Sequence, residues 1–516
     1  MAAAQKLTFD QFIRHWAAER PDQTALEQDG AAISFGALEQ RSRKILGMLA
    51  ERGVERGDRI AWLGKNARLY FELFYAAARA GVVTVPIGWR LAPPEVAFIL
   101  GDTGAKLLFL DEGFEQAGAM ATALVDRPVH VLTTSDTLAA IEAAKAAEFD
   151  PAGPDDAVLQ LYTSGTTGNP KGAVLTNRNL FALRIPSEVE GQPWSHFDAN
   201  EAILVCMPCA HIGGTGLGIM AMASGIRAII QAEFSPDGVL DAFEQGITRL
   251  FIVPAALQMV IQHPRAKATD MSAVRYVMYG AAPIPLDLLR EAVRTIPEAG
   301  FIQVYGMTET TGTIAALPPE DHALEGNQRM KSAGKAVPGV ELRIIGEDGR
   351  ELPRGEVGEL VCKSPSNMQG YWNLPQATAG SLKDGWMHTG DAAYMDEDGY
   401  VYIQDRIKDM IITGGENVYP AQVESAIYGH PCVAEVAVIG VPDDRWGEAV
   451  KACIVPRPGT QVDEASIIAW TRERLAAFKV PKSVDVIAIM PRNAGGKILR
   501  KDLRAPYWEG RERQVN

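Results

Sequence analysis

Short runs rich in β-branched and aliphatic residues alternate along this chain with longer stretches whose apolar residues recur at helical spacing. ISF (33–35) precedes ALEQRSRKILGMLAERG, RIAWLG (59–64) precedes ARLYFELFYAAARAG, and AKLLFL (105–110) precedes an alanine-rich stretch. RLFIVP (249–254) and VRYVMYG (274–280) each lead into a further helical pattern. This alternation predicts βα units and an α/β fold with largely parallel sheets. The texture changes near Gly334, where VPGVELRIIGEDGRELPRGEVGELVCKSP carries short strand patterns and turn signals with little helix, as a β-rich subdomain would. Past Arg406 comes an α+β pattern: a helix from Ala421, the strands AEVAVIGVP and AVKACIVP, a helix from Asp463, and SVDVIAIM.

Length and charge narrow the picture. A chain of 516 residues suggests about three structural units at roughly 150 residues each. A net charge of −14 argues against nucleic acid or an anionic membrane as partner, since both would repel it. The first residues have no signal-peptide core. They read as an amphipathic helix, with Thr8 and Gln11 suited to a capping box and Phe9, Phe12 and Trp16 on one face. No apolar run reaches the roughly 18 residues a bilayer span requires. The spacing of Cys206 and Cys209 has no second pair or histidine cluster to complete a zinc site, so all five cysteines read as reduced thiols. A cytoplasmic protein is expected.

Candidate chemistry begins at LYTSGTTGNPKGAVLTNRNL (161–180). A loop dense in Gly, Ser and Thr can turn many backbone N–H groups and hydroxyls toward one anion, and a neighbouring lysine adds a point charge. It reads as a polyphosphate cradle. It is not a Walker A loop, because Lys171 is followed by Gly172 and a strand-like AVL rather than by Ser or Thr and a helix.

YTSGTTGNPKG (162–172) resembles the signature of adenylate-forming enzymes, the superfamily of acyl-CoA synthetases, luciferases and peptide-synthetase adenylation domains. Further segments match in order over nearly the whole chain: YGAAP (279–283), YGMTE (305–309), HTGD (388–391), DRIKDMIITGGENVYPAQVE (405–424) and PRNAGGKILRK (491–501). The resemblance implies a large N-terminal domain (1–405, its β-rich subdomain at about 334–405) and a small mobile C-terminal lid (406–516) hinged near Lys408. It implies a two-step reaction: a carboxylate attacks the α-phosphorus of ATP to give acyl-AMP and pyrophosphate, and a thiol then displaces AMP. Positioning and charge neutralisation would carry the catalysis, since both nucleophiles come from substrates.

Roles follow motif by motif as implications of that resemblance. Thr163, Ser164, Gly165, Thr166, Thr167 and Gly168 would hold the β- and γ-phosphates, with Lys171 anchoring the loop. Tyr305 would stack on adenine, opposite backbone at Gly280, Ala281 and Ala282. Thr308 would touch the α-phosphate, and Glu309 with Thr167 would hold Mg²⁺. Asp391 suits the ribose hydroxyls, supported by Arg406. Lys497 would bridge carboxylate and α-phosphate in the first step. Gly414 and Gly415 would line a tunnel for the pantetheine arm, and Ile412 stands where the luciferase branch has a second lysine. His211 would gate the acyl pocket, or be a plain packed histidine.

With no carrier domain after Asn516, coenzyme A is the expected acceptor; the alternative is a stand-alone adenylation enzyme serving a carrier protein. A luciferase-like oxygenase and a non-enzymatic binding module are weaker readings, and no Gly-x-Ser-x-Gly elbow supports a serine hydrolase. GGTGLGIMAMASG and TTGTIAAL are small and apolar, which favours a hydrophobic carboxylic acid: a medium- or long-chain fatty acid first, an aryl acid next, with dicarboxylates and amino acids poor. The oligomeric state is open, a homodimer included.

Lys497→Ala should block adenylation far more than thiolation. The measurement is pyrophosphate release from ATP set beside acyl-CoA formation from chemically made acyl-AMP; equal loss in both would refute the role.

Overall fold

In the computed structural model, residues 6–163, 169–189, 192–492 and 498–509 are described, the side chains of 185, 188 and 408 apart. Among these residues the backbone forms four sheets. The largest runs Lys335–Ala336, Gly312–Leu317, Gly300–Met307, Tyr276–Gly280, Arg249–Ile252, Ala202–Val205, Arg227–Ile230, Thr24–Gln28, Ala31–Ser34, and its six interior strands from Gly300–Met307 to Thr24–Gln28 are parallel. A second sheet holds the parallel strands Val83–Gly88, Arg59–Gly64, Leu107–Leu110 and His130–Thr133. The antiparallel hairpin Ala157–Thr163/Lys171–Thr176 joins it at one edge.

The helix Arg68–Arg79 contacts both sheets and has Leu69 through Arg79 buried, the ion-paired Glu72 and Arg79 included. It backs onto a second buried helix, Ile212–Ser224. The Tyr70 and Thr215 hydroxyls are 2.7 Å apart, and the Tyr75 hydroxyl donates to the Gly218 carbonyl at 2.6 Å. A Cβ at Gly218 would come 2.2 Å from the Phe71 ring, so that glycine serves close helix packing rather than an open pocket.

The amino-terminal helix is Phe9–Glu19, with Phe9, Phe12 and Trp16 buried and Thr8 accepting from the Gln11 amide. Gln11 reaches back to the Leu7 amide at 2.8 Å rather than to that of Thr8, one residue short of the expected capping box. Asp10 on this helix meets Arg79, which is 0% exposed and also bonds Ser42 and Glu39.

Past Gly334 the chain forms an antiparallel sheet of Glu341–Ile345, Gly358–Lys363, Trp386–Met395 and Leu382–Lys383, with Val401–Arg406 pairing Trp386–Met395. After the single 3₁₀ turn Ile407–Asp409, an α+β unit follows. In it the long hairpin Val433–Asp443/Gly447–Pro456 packs on the helix Pro420–Tyr428 around its own apolar cluster. The α/β architecture expected from the patterning is therefore present. All five cysteines are buried, and burial pushes Cys206 up to about 12.

Arg79→Ala would remove the buried partner of Asp10 and Glu39 and leave them the more exposed Arg14 and Arg43, a loss below the roughly 3–5 kcal/mol of a buried ion pair broken outright. The expected outcome is a clear fall in the denaturant midpoint of the N-terminal region; an unchanged midpoint would refute it.

Candidate active site

The two central motifs owe their glycines to neighbouring backbone. Gly280 ends a strand paired in parallel register with Val304, and a Cβ there would lie 2.1 Å from the Val304 carbonyl oxygen. At Gly306 a Cβ would lie 1.7 Å from the Gly312 carbonyl oxygen. Any larger residue would push these strands apart, so YGAAP and YGMTE come to lie side by side at one end of the parallel sheet. Just beyond Gly280, Ala281 adopts φ +64°, a left-handed conformation that costs a non-glycine residue roughly 1 kcal/mol or more.

Two buried carboxylates face this end of the sheet. Glu309, 6% exposed in the turn Thr308–Thr310, accepts at Oε1 from the Thr163 hydroxyl at 3.1 Å and the Tyr371 hydroxyl at 2.8 Å. Lys171 holds its Nζ over the Tyr371 ring, 5.1 Å from the centroid. Asp391, also 6% exposed, accepts the Tyr305 hydroxyl at Oδ2 and pairs through Oδ1 with Arg406 Nε at 2.7 Å. The strand pairing Trp386–Met395/Val401–Arg406 sets that second contact, because Asp391 and Arg406 are direct cross-strand partners. Burial, reinforced by Asp391, holds the Tyr305 hydroxyl well above its ordinary value, so it remains a donor at neutral pH. For Tyr371 the causes are burial and then Glu309, with the same result. Burial opposes the Arg406 charge, but Asp391 and its neighbours more than offset this.

A cavity of about 1120 Å³ opens beside these groups and is lined by Thr163, Lys171, Tyr305, Thr308, Glu309 and Arg406 at one end. It continues along the helix Ile212–Ser224, whose Gly213, Gly216, Leu217, Met220 and Ala223 form one face at helical spacing. His211, at the amino end of that helix, lines the junction of the two regions. Its Nε2 is buried without a hydrogen-bond partner, and burial lowers its pKa, so the ring is neutral near pH 7.

Of the other sequence-expected residues, Ala281 lines the cavity, Gly280 is buried beneath it and Ala282 is exposed. Ser164, Gly165, Thr166, Thr167, Gly168 and Lys497 lie outside the described residues, and of Lys408 only the backbone is described, in the 3₁₀ turn. Gly414 and Gly415 are not brought to the cavity: both are exposed in a turn, where a Cβ at Gly414 would lie 2.7 Å from the Trp446 ring. Sequence reasoning missed Tyr371, whose partner is 62 positions away. It gave no role to His388, within HTGD, whose Nδ1 lies 2.8 Å from Glu359 on the cavity wall, and it missed Arg184, which lines the apolar stretch.

A family model described as AMP-binding enzyme matches residues 13–372, and one described as AMP-binding enzyme C-terminal domain matches residues 422–497. The chain belongs to the AMP-binding enzyme family. It is 40% identical to the fatty acid–[acyl-carrier-protein] ligase ScoC of Streptomyces coeruleorubidus, over 99% of each chain. It is 39% identical to a feruloyl-CoA synthase of an Amycolatopsis species, over 94% of this chain and 96% of that one. The crystal structure of ATP-bound MatB from Rhodopseudomonas palustris superposes with a TM-score of 0.87 at 32% identity, covering 97% of this chain and 99% of that one. Acid activation through an adenylate is thus the common ground of the chain and its relatives. No described helix is long and apolar enough to cross a membrane.

Tyr371→Phe removes one of the two hydroxyls on Glu309 and keeps the ring under Lys171. A hydrogen bond to a charged group is worth about 1.5–3 kcal/mol, so kcat/KM for ATP in pyrophosphate release should fall at least tenfold with little change in the unfolding midpoint. A fall in stability without a fall in rate would show that the tyrosine is only structural.

Proposed function

We propose that this protein activates a hydrophobic carboxylic acid with ATP to form acyl-AMP and pyrophosphate, then transfers the acyl group to the thiol of coenzyme A. The observation that carries the reading is one continuous cavity, polar at Glu309, Lys171 and Arg406 and apolar along the helix Ile212–Ser224. A triphosphate fits the first region and an acyl or aryl body the second, with the carboxyl at their junction near His211.

In this reading the acid's oxygen forms the new bond to the α-phosphorus as the bond to the β-phosphate oxygen breaks. Lys171 and the loop Thr163–Gly168 neutralise the departing pyrophosphate, Thr308 faces the α-phosphate, and Lys497 bridges the reacting oxygens. Tyr305 and the backbone at Gly280–Ala282 clasp adenine, while Asp391, held by Arg406, accepts from the ribose. Neutral His211 packs as a gate between acyl body and phosphates; an ionised carboxylate needs no base. In the second step the thiol sulfur bonds the acyl carbon, AMP leaves and the thiol proton is released, with the lid pivoting at Lys408 so that Gly414 and Gly415 reach the cavity.

Glu309 suits a hard divalent cation, being a single buried carboxylate beside a polyphosphate region. Among the described residues no group of three His, Cys, Asp or Glu side chains could hold a metal on its own. That donor set matches Mg²⁺ carried largely by substrate phosphates, with Thr167 as a further oxygen. Such an ion would screen the charge that builds on the phosphates.

A second reading, transfer to a carrier-protein phosphopantetheine, is favoured by the 40% identity to ScoC. A panel of fatty acids, cinnamate-type acids, phenylalanine and a medium-chain dicarboxylate, scored for pyrophosphate release with coenzyme A or a holo carrier protein, decides. Apolar monocarboxylates should exceed phenylalanine by a factor of roughly a thousand, since an unpaired buried ammonium costs several kcal/mol. A better rate with phenylalanine would overturn the substrate class, and thioester formed only on the carrier would overturn the acceptor.

A further inference from the structure

We propose that the end of the cavity remote from His211 is a subsite for an uncharged oxygen, a hydroxyl or a carbonyl, borne far from the carboxyl on the substrate's apolar body. The proposal rests on the acid-activation reading and deepens it. The helix Ile212–Ser224 has 13 residues, so from its first to its last residue the cavity wall runs roughly 18 Å. Its lining residues are glycine, isoleucine, leucine, methionine and alanine until the last residue, Ser224, which also lines the cavity.

Ser224 is 7% exposed, and its Oγ is buried without a hydrogen-bond partner. That is unusual within this molecule. Hydroxyls of Thr103, Thr122, Thr137 and Thr471 each donate to the carbonyl four residues earlier, the ordinary way a helical hydroxyl satisfies itself. Ser224 does not use that route, and buried polar groups are normally satisfied.

The neighbouring groups define the missing partner. Arg184 lines the same cavity and donates from Nη1 to the Ala223 carbonyl at 2.5 Å, with its guanidinium 5.2 Å from the Phe12 ring centroid. Ser187, about one helical turn further on, lines it too. A cation at this wall disfavours an ammonium group. The Arg184 guanidinium in turn already serves the Ala223 carbonyl at the negative end of the dipole of the helix Ile212–Ser224, so its charge is engaged by that helix end rather than by a second carboxylate. A neutral oxygen offends neither, and can pair with the Ser224 hydroxyl.

The test is a series of saturated straight-chain acids of increasing length, each with its ω-hydroxy acid and its α,ω-dicarboxylate, assayed by pyrophosphate release in the wild type and in Ser224→Ala and Ser224→Thr. At the length that reaches Ser224, the ω-hydroxy acid should exceed the plain acid about tenfold in kcat/KM. Ser224→Ala should collapse that ratio toward one, and Ser224→Thr should retain it. A ratio unaffected by Ser224→Ala, or a dicarboxylate preferred at every length, overturns the subsite. Release with plain acids alone overturns the subsite and leaves acid activation standing; no release with any acid overturns both.

Discussion

Two carboxylates held nearly out of water organise this active site. A buried carboxylate is tolerated only when hydrogen-bond donors or a cation compensate it, and the structure supplies a tyrosine hydroxyl to each, with a direct Arg406 ion pair at Asp391. Tyr305 donates to Asp391 beside Arg406, and Tyr371 donates to Glu309 near Lys171. Each tyrosine is itself kept protonated by burial and by the carboxylate it serves. The phenols therefore hold the carboxylates in place as hydrogen-bond donors.

The need to assemble these pairs explains why so many separate elements converge. Thr163 ends one strand of the hairpin in the second sheet, Glu309 follows the last parallel strand of the first, and Asp391 lies on the β-rich sheet. The contact between Thr163 and Glu309 spans 146 positions and that between Tyr305 and Asp391 spans 86. The glycines at 280 and 306 let the strands close up enough for those side chains to meet. Apolar packing does the rest: the helix Arg68–Arg79, buried on all sides, fixes the helix that forms the long cavity wall.

The alternation of strand and helix patterns was legible because periodicity is local, and contiguous motifs exposed the family for the same reason. What stayed hidden was pairing across distance and the role of isolated residues. Tyr371 lies in GYWN, outside every segment singled out, and only the fold brings its hydroxyl to Glu309. Gly218 reads as space in a glycine-rich helix, yet it packs against Phe71, whereas Gly213 and Gly216 do face the cavity. The expectation of a wholly apolar pocket came from two segments. Arg184 belongs to a third, a six-residue helix with no strong periodicity, and its contact with Ala223 is set by tertiary structure.

The junction of the large and small units shows the same economy of charge. Asp405 accepts from the Arg406 amide at 2.7 Å and the Ala421 amide at 2.8 Å, and lies 3.7 Å from Arg500. Burial pushes it up to about 6, despite the pull of Arg500 in the other direction. Glu424 and Arg500 both follow the turn Ile407–Asp409, and their 2.7 Å pair would travel intact with the small unit in any rotation about it. Asp405 precedes the turn, so such a rotation would break its bonds to Ala421 and Arg500, together with the bond from the Tyr428 hydroxyl to Gln258 at 3.4 Å. A carboxylate already reluctant to be charged loses less when its cation departs than a fully ionised one would, because it can take up a proton instead. Part of the cost of leaving this arrangement therefore falls on a residue able to absorb it by taking up a proton.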